Sequence, residues 1–270
     1  MNEILKTLSS LVEKSIVRFS ENHRNCRFAL DCNVDYGNVI IAADDSPEIL
    51  SADAFLNETE EYGHYSFGDW PLPDVTMSDK WIEELWERQW TSHETVIRDE
   101  WLDLSEFEQE LRKKRFLEGA CSIAADLSSR LDCIVPPILV ADHDECIRHT
   151  TVRMRWAFLG AKSPAHSILA DGSWKCEDED LRSKQAFFRD GTFIDHIIVL
   201  VDDTECCVEV GGDWDMYQNT LVMIPTHANL DLKEIRELLW KEISFEVTEL
   251  NDNELQYQDA EGTYCKYKRL

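Results

Sequence analysis

From residue 193 onward the chain is divided into short apolar runs separated by turn-forming residues, a spacing that suits strands and leaves little room for long helices. Residues 193–201, 206–210 and 221–224 read as strands, with turn signals at Asp202-Asp203 and Gly211-Gly212. Residues 245–250, 255–258 and 264–267 end the chain in the same manner. One helix interrupts the series, because Asn229 or Asp231 offers a cap and Leu232, Ile235, Leu238, Leu239 and Ile243 share one face at helical spacing. Just upstream, residues 163–184 carry the acidic run Glu177, Asp178, Glu179 and Asp180 and read as a solvated connection.

The first half follows a different period. Ile4, Leu5, Leu8, Leu11, Val12, Ile16 and Phe19 form one broad stripe, which predicts a helix over 2–19. Apolar runs at 28–30 and 39–43 flank the turn-rich Asp35, Gly37 and Asn38, the pattern of a hairpin. Ser105 followed three residues later by Glu108 is a capping box, and Phe107, Leu111, Leu117, Cys121, Ala124, Leu127 and Leu131 mark the inner face of the helix it starts. A short strand at 138–141 follows Pro136-Pro137. Residues 145–159 alternate as a strand would, yet Asp142 with Glu145 offers a cap and Gly160 a stop, so a helix is preferred. The expected class is α+β, a largely antiparallel sheet with packed helices, helix-rich in the first half and strand-rich in the last third. It forms either one continuous domain or two lobes at 1–160 and 161–270.

Charge narrows the partners. Against 27 Lys and Arg stand 54 Asp and Glu, a net charge of -27 that repels nucleic acid and anionic lipid and favours a basic protein partner. The same acidity serves solubility. No apolar run reaches the length of a membrane span. The opening MNEILKTLSS has neither a basic n-region nor a continuous apolar core, so a cytoplasmic location is expected, and the nine cysteines then read as free thiols.

The motifs that carry chemistry are sparse. There is no G-x-S-x-G, no Gly-rich phosphate loop and no H-E-x-x-H. Asp31, Asn33 and Asp35 begin like a calcium loop, but Tyr36 and Ala42 stand where Gly and a bidentate Glu are needed, which leaves hairpin turn chemistry. Asp142, His143, Asp144, Glu145 and His149 gather metal-ligand types at a strand end, a pattern that a helix N-terminus also explains. Asp202, Asp203, Asp213 and Asp215 would hold a divalent cation if their loops converged, and they define the alternative function, a metal-assisted hydrolase. No cofactor is expected. Trp70, Trp81, Trp86 and Trp90 crowd one region; most should pack, while an exposed one would anchor a partner. These tryptophans and the run Glu177, Asp178, Glu179 and Asp180 are the candidate binding residues.

The hairpin RFALDCNVDYGNVIIAAD, the following SFGDWPLP and the helices after it resemble, in their order, bacterial domain-of-unknown-function families encoded near polymorphic toxins. Some members of those families are thought to be immunity proteins. The resemblance extends to about Ala141 and rests on element order and an aromatic-Asp-Trp-Pro corner, so it implies a binding role and carries over no functional residue. The expected function is a protein-interaction module, in its narrower form an immunity-type inhibitor that covers a basic effector.

Overall fold

The structure, a computed structural model, describes residues 2–34, 38–44, 105–142, 147–177, 182–201, 204–230 and 232–270. They group into two units, Met1–Gly160 and Ala161–Leu270. No helix among the described residues is long and apolar enough to cross a membrane.

The first unit orders as α1 (Asn2–Ser20), β1 (Arg27–Asn33), β2 (Asn38–Asp44), α2 (Glu106–Arg130), β3 (Leu139–Asp142) and α3 (Ile147–Leu159). The expected hairpin is present, with Leu30 opposite Ile41 in an antiparallel β1–β2 pair. On its other side β1 pairs with β3 in parallel, so the sheet is mixed, in the order β2-β1-β3. Both faces of β1 are buried, which its apolar Phe28, Ala29 and Leu30 permit without alternation. Helix α1 places Leu8, Val12 and Ile16 in the core, and α2 adds Phe116, Leu117, Cys121, Ala124 and Leu127. Gly119 lets the two helices approach, since a Cβ there would meet the Leu5 side chain. The Ser105–Glu108 capping box closes as expected, each side chain bonding the other residue's backbone N–H. Residues 147–159 are helical, the form preferred over a strand.

The second unit orders as α4 (Pro164–Ala170), β4 (Ser173–Glu177), β5 (Arg182–Phe187), β6 (Thr192–Val201), β7 (Thr204–Tyr217), β8 (Thr220–Ala228), α5 (Lys233–Arg236), β9 (Ile243–Leu250), β10 (Glu254–Gln258) and β11 (Tyr264–Arg269). Every strand pairs antiparallel with the next, and β11 returns to β4, which closes an eight-stranded up-and-down barrel with no free edge. Period-two burial marks the inward faces, as on β8, where Leu221, Met223 and Pro225 are buried between half-buried neighbours.

Three expectations are corrected here. The described residues of the segment 163–184 form α4, β4 and the start of β5, and they read as a solvated connection because Lys175 and Glu177 alternate with the inward Trp174 and Cys176. Gly211-Gly212 is a bulge inside the continuous β7, because a Cβ on Gly212 would strike the Ile224 carbonyl. The helix expected over 229–243 shortens to α5, four residues with no side-chain cap at Leu232. Ile243 instead begins β9, and Trp240 has φ of 64°.

Candidate functional site

Inside the barrel, strand pairing sets five polar side chains against one another. Ser183 and Gln185, two residues apart on β5, face inward; β6 brings Asp195 directly opposite Gln185. Tyr267 enters from β11 and Tyr257 from β10. All five are buried, Gln185 at 1% and Asp195 at 9% exposure.

Their hydrogen bonds run in one direction. A carboxylate only accepts, so the Ser183 hydroxyl donates to Asp195 Oδ1 at 2.6 Å, and Gln185 Nε2 donates to Oδ2 at 3.1 Å. The Ser183 oxygen then accepts from the Tyr267 hydroxyl, 3.5 Å away, which in turn accepts from Tyr257 at 3.0 Å. Burial pushes the Asp195 carboxyl up to about 6, against the opposing hydrogen bonds from Ser183, Gln185 and the His196 backbone. Burial also raises both tyrosines, which keeps their hydroxyls protonated as donors. Gln185 Oε1 is left buried with no hydrogen-bond partner.

Aromatic and aliphatic walls surround the cluster. Phe245 and Tyr257 lie 4.7 Å apart between ring centroids, and Tyr257 and Tyr267 stack at 5.4 Å. At one end of the barrel α4 packs against β5 and β7. Trp174, fully buried, donates its indole N–H to the Leu169 carbonyl, and Arg269 lies over its ring while donating to the Asp171 carbonyl at 2.7 Å. Toward the opposite end the inward-facing Ile197 is half-buried across from the fully buried Val208, while Val199 and Cys206 lie where the β6–β7 hairpin runs on past its last pairs with β5 and β8. The polar cluster thus lies between the α4 end of the barrel and the level of Ile197 and Val208.

A second constellation fastens α4 to β7. His166 Nε2 lies 2.8 Å from Asp215 Oδ1, its Nδ1 lies 2.9 Å from Ser163 Oγ, and Lys162 Nζ lies 2.7 Å from Asp215 Oδ2. Burial alone would raise the Asp215 carboxyl, but bonds from Lys162, His166 and the Met216 N–H hold it down at about 2. The order Ser, His, Asp is that of hydrolytic triads. Here, however, Ser163 is the N-cap of α4 and His166 is buried against Trp214, so the group works as a latch.

Of the residues singled out in the sequence, Trp70, Trp81, Trp86, Trp90, Asp178, Glu179, Asp180, Asp202 and Asp203 lie outside the described residues, as do His143, Asp144 and Glu145. Glu177 ends β4. Asp213 and Asp215 alternate on β7, and the latch already commits Asp215 to two basic side chains. Asp142 ends β3 and pairs with Lys113 at 2.9 Å, and His149 is on α3. Among the described residues no three His, Cys, Asp or Glu side chains gather to hold a metal ion. The interior cluster went unseen because its members come from four strands; the signal available was a polar residue in the apolar phase, as in Phe193, Asp195 and Ile197.

No protein-family model and no curated protein matches the sequence. Among solved structures, the chain is similar to a lipocalin-like protein from Bacteroides uniformis ATCC 8492, 20% identical, with 38% of this chain and 99% of that chain covered at a TM-score of 0.29. It is also similar to an uncharacterised protein from Bacteroides eggerthii DSM 20697, 13% identical, with 37% and 98% covered at a TM-score of 0.28.

Proposed function

We propose that the barrel unit binds a small ligand in its interior, over Ser183, Gln185, Asp195, Tyr257 and Tyr267. The carrying observation is a buried carboxylate beside the partnerless Gln185 Oε1, inside an eight-stranded barrel, a size at which the lumen either fills with side chains or holds one small molecule. A core built only for stability would place apolar side chains there, since a half-satisfied polar network costs more than it returns. The test is a thermal-shift screen of the full chain against small amphipathic molecules. A true ligand at about a hundred times its Kd should stabilise the protein by roughly 2.7 kcal/mol. Saturable stabilisation lost on Gln185→Leu supports the reading; an unresponsive protein across the screen opposes it.

A second reading keeps the chain as a protein-interaction module, in its narrower form an immunity-type inhibitor of a basic effector. Trp240 favours it, being 74% exposed beside the exposed Leu238 in the β8–β9 connection of a chain with net charge -27. A basic protein held at low salt, with Trp240→Ala speeding its dissociation, is the outcome this reading requires.

A further inference from the structure

We propose that the ligand of the barrel is an organic cation, a protonated amine whose ammonium group sits against Asp195 and Gln185 Oε1 while its apolar remainder lies along the aromatic wall. The inference rests on the small-ligand reading above and specifies the chemistry of the same site.

Donors and acceptors in the cluster are unequally used. Ser183 O–H, one Gln185 N–H and the His196 backbone N–H are spent on the Asp195 carboxylate, Gln185 Nε2 also donates to Met223 Sδ at 4.0 Å, and the Tyr267 and Tyr257 hydroxyls donate along the chain that ends at Asp195. What remains is acceptors: Gln185 Oε1 has no partner, and Tyr257, which donates to Tyr267, keeps its oxygen lone pairs. The cluster therefore recognises a molecule that donates.

Charge narrows this further. Among the described residues no Lys or Arg approaches Asp195; the groups that act on it are Ser183, Gln185 and the His196 N–H. A carboxylate in this setting gains most from a cation, and a charge-assisted N–H···O bond is about twice as strong as a neutral one. The same field repels an anionic head, so a fatty carboxylate is the wrong ligand. The rings of Phe245, Tyr257 and Tyr267, 4.7 Å and 5.4 Å apart in succession, supply an aromatic wall beside the carboxylate against which an apolar tail would pack.

The experiment is calorimetry on the full wild-type chain with three probes that share one tail: hexylamine, 1-hexanol and hexanoate, each repeated with the phenethyl counterpart. The amine is expected to bind tighter than the alcohol by roughly tenfold or more, with the carboxylate weakest. Asp195→Asn should remove the preference for the amine while leaving alcohol binding in place. Tyr267→Phe, which keeps the ring and loses a link of the donor chain, should reduce the preference without abolishing it, and serves if the first variant does not fold. Equal or tighter binding of the alcohol or carboxylate overturns the cation assignment and leaves the small-ligand reading standing. Failure of every probe to bind overturns both.

Discussion

Asp195 is the residue on which the account turns, because its burial makes a stability statement with a definite sign. Its carboxyl sits at about 6 in the folded chain against an ordinary value of 3.8, so the folded state binds the proton more tightly than the unfolded state does. The contribution to stability is then fully present below about pH 4 and is lost as pH rises through about 6, a difference of roughly 3 kcal/mol at neutral pH. Asp195→Asn removes the ionisation. It also allows the Gln185 amide to turn so that Oε1 gains a donor. In urea melts the variant is expected to exceed wild type by about 1–3 kcal/mol at pH 7.5 and to match it near pH 4. A variant weaker than wild type at both pH values would make the cluster ordinary structural core.

At the scale of elements, local signals were legible and long-range ones were not. Helix α2 is announced by its own residues, the Ser105–Glu108 box and the stripe through Leu127, and the structure buries Leu127 completely. Leu127→Ala should therefore cost about 2–5 kcal/mol in a thermal or urea melt; a surface-like effect would mean that the stripe faces elsewhere. The β1–β2 hairpin was legible for the same reason, since its turn residues and apolar runs are neighbours in sequence. Strand β4 was hidden because Lys175 and the acids after it drown the inward Trp174 and Cys176. Strand β5 was hidden because Ser183 and Gln185, its inward residues, are polar and break the apolar alternation. The helix expected over 229–243 failed because its apolar spacing had no face to bury: Leu238 is exposed and the helical turns end at Arg236. Gly211-Gly212 carried a turn signal, yet the pair bends β7 opposite Pro225, which has no N–H to give the ladder. Gly212→Ala is expected to cost roughly 1–3 kcal/mol by equilibrium unfolding, since the neighbour it meets is backbone and cannot swing aside. A neutral effect would place the bulge elsewhere.

At the scale of the whole molecule, the two units divide the chemistry. The first builds a helix-covered mixed sheet from apolar stripes, while the second closes a barrel whose interior keeps a buried acid and a partnerless amide oxygen. A net charge of -27 attracts cations in general, and its reach falls as salt shortens the screening length to about 8 Å at physiological ionic strength. Sequence made the charge plain and left the interior site invisible, because no local pattern reports that Ser183 and Tyr267, 84 residues apart, meet inside a barrel. The central claim is that this interior, and not an outer face, receives the ligand. An NMR titration of the isotopically labelled full chain with hexylamine and 1-hexanol tests it most directly. Saturable shifts are expected at the Gln185 side-chain amide and the backbone amides of Ser183, Asp195, His196 and Tyr267, larger for the amine than for the alcohol. Shifts confined to outward positions such as Trp240 and Leu238, with the Gln185 amide unmoved at saturation, would contradict it.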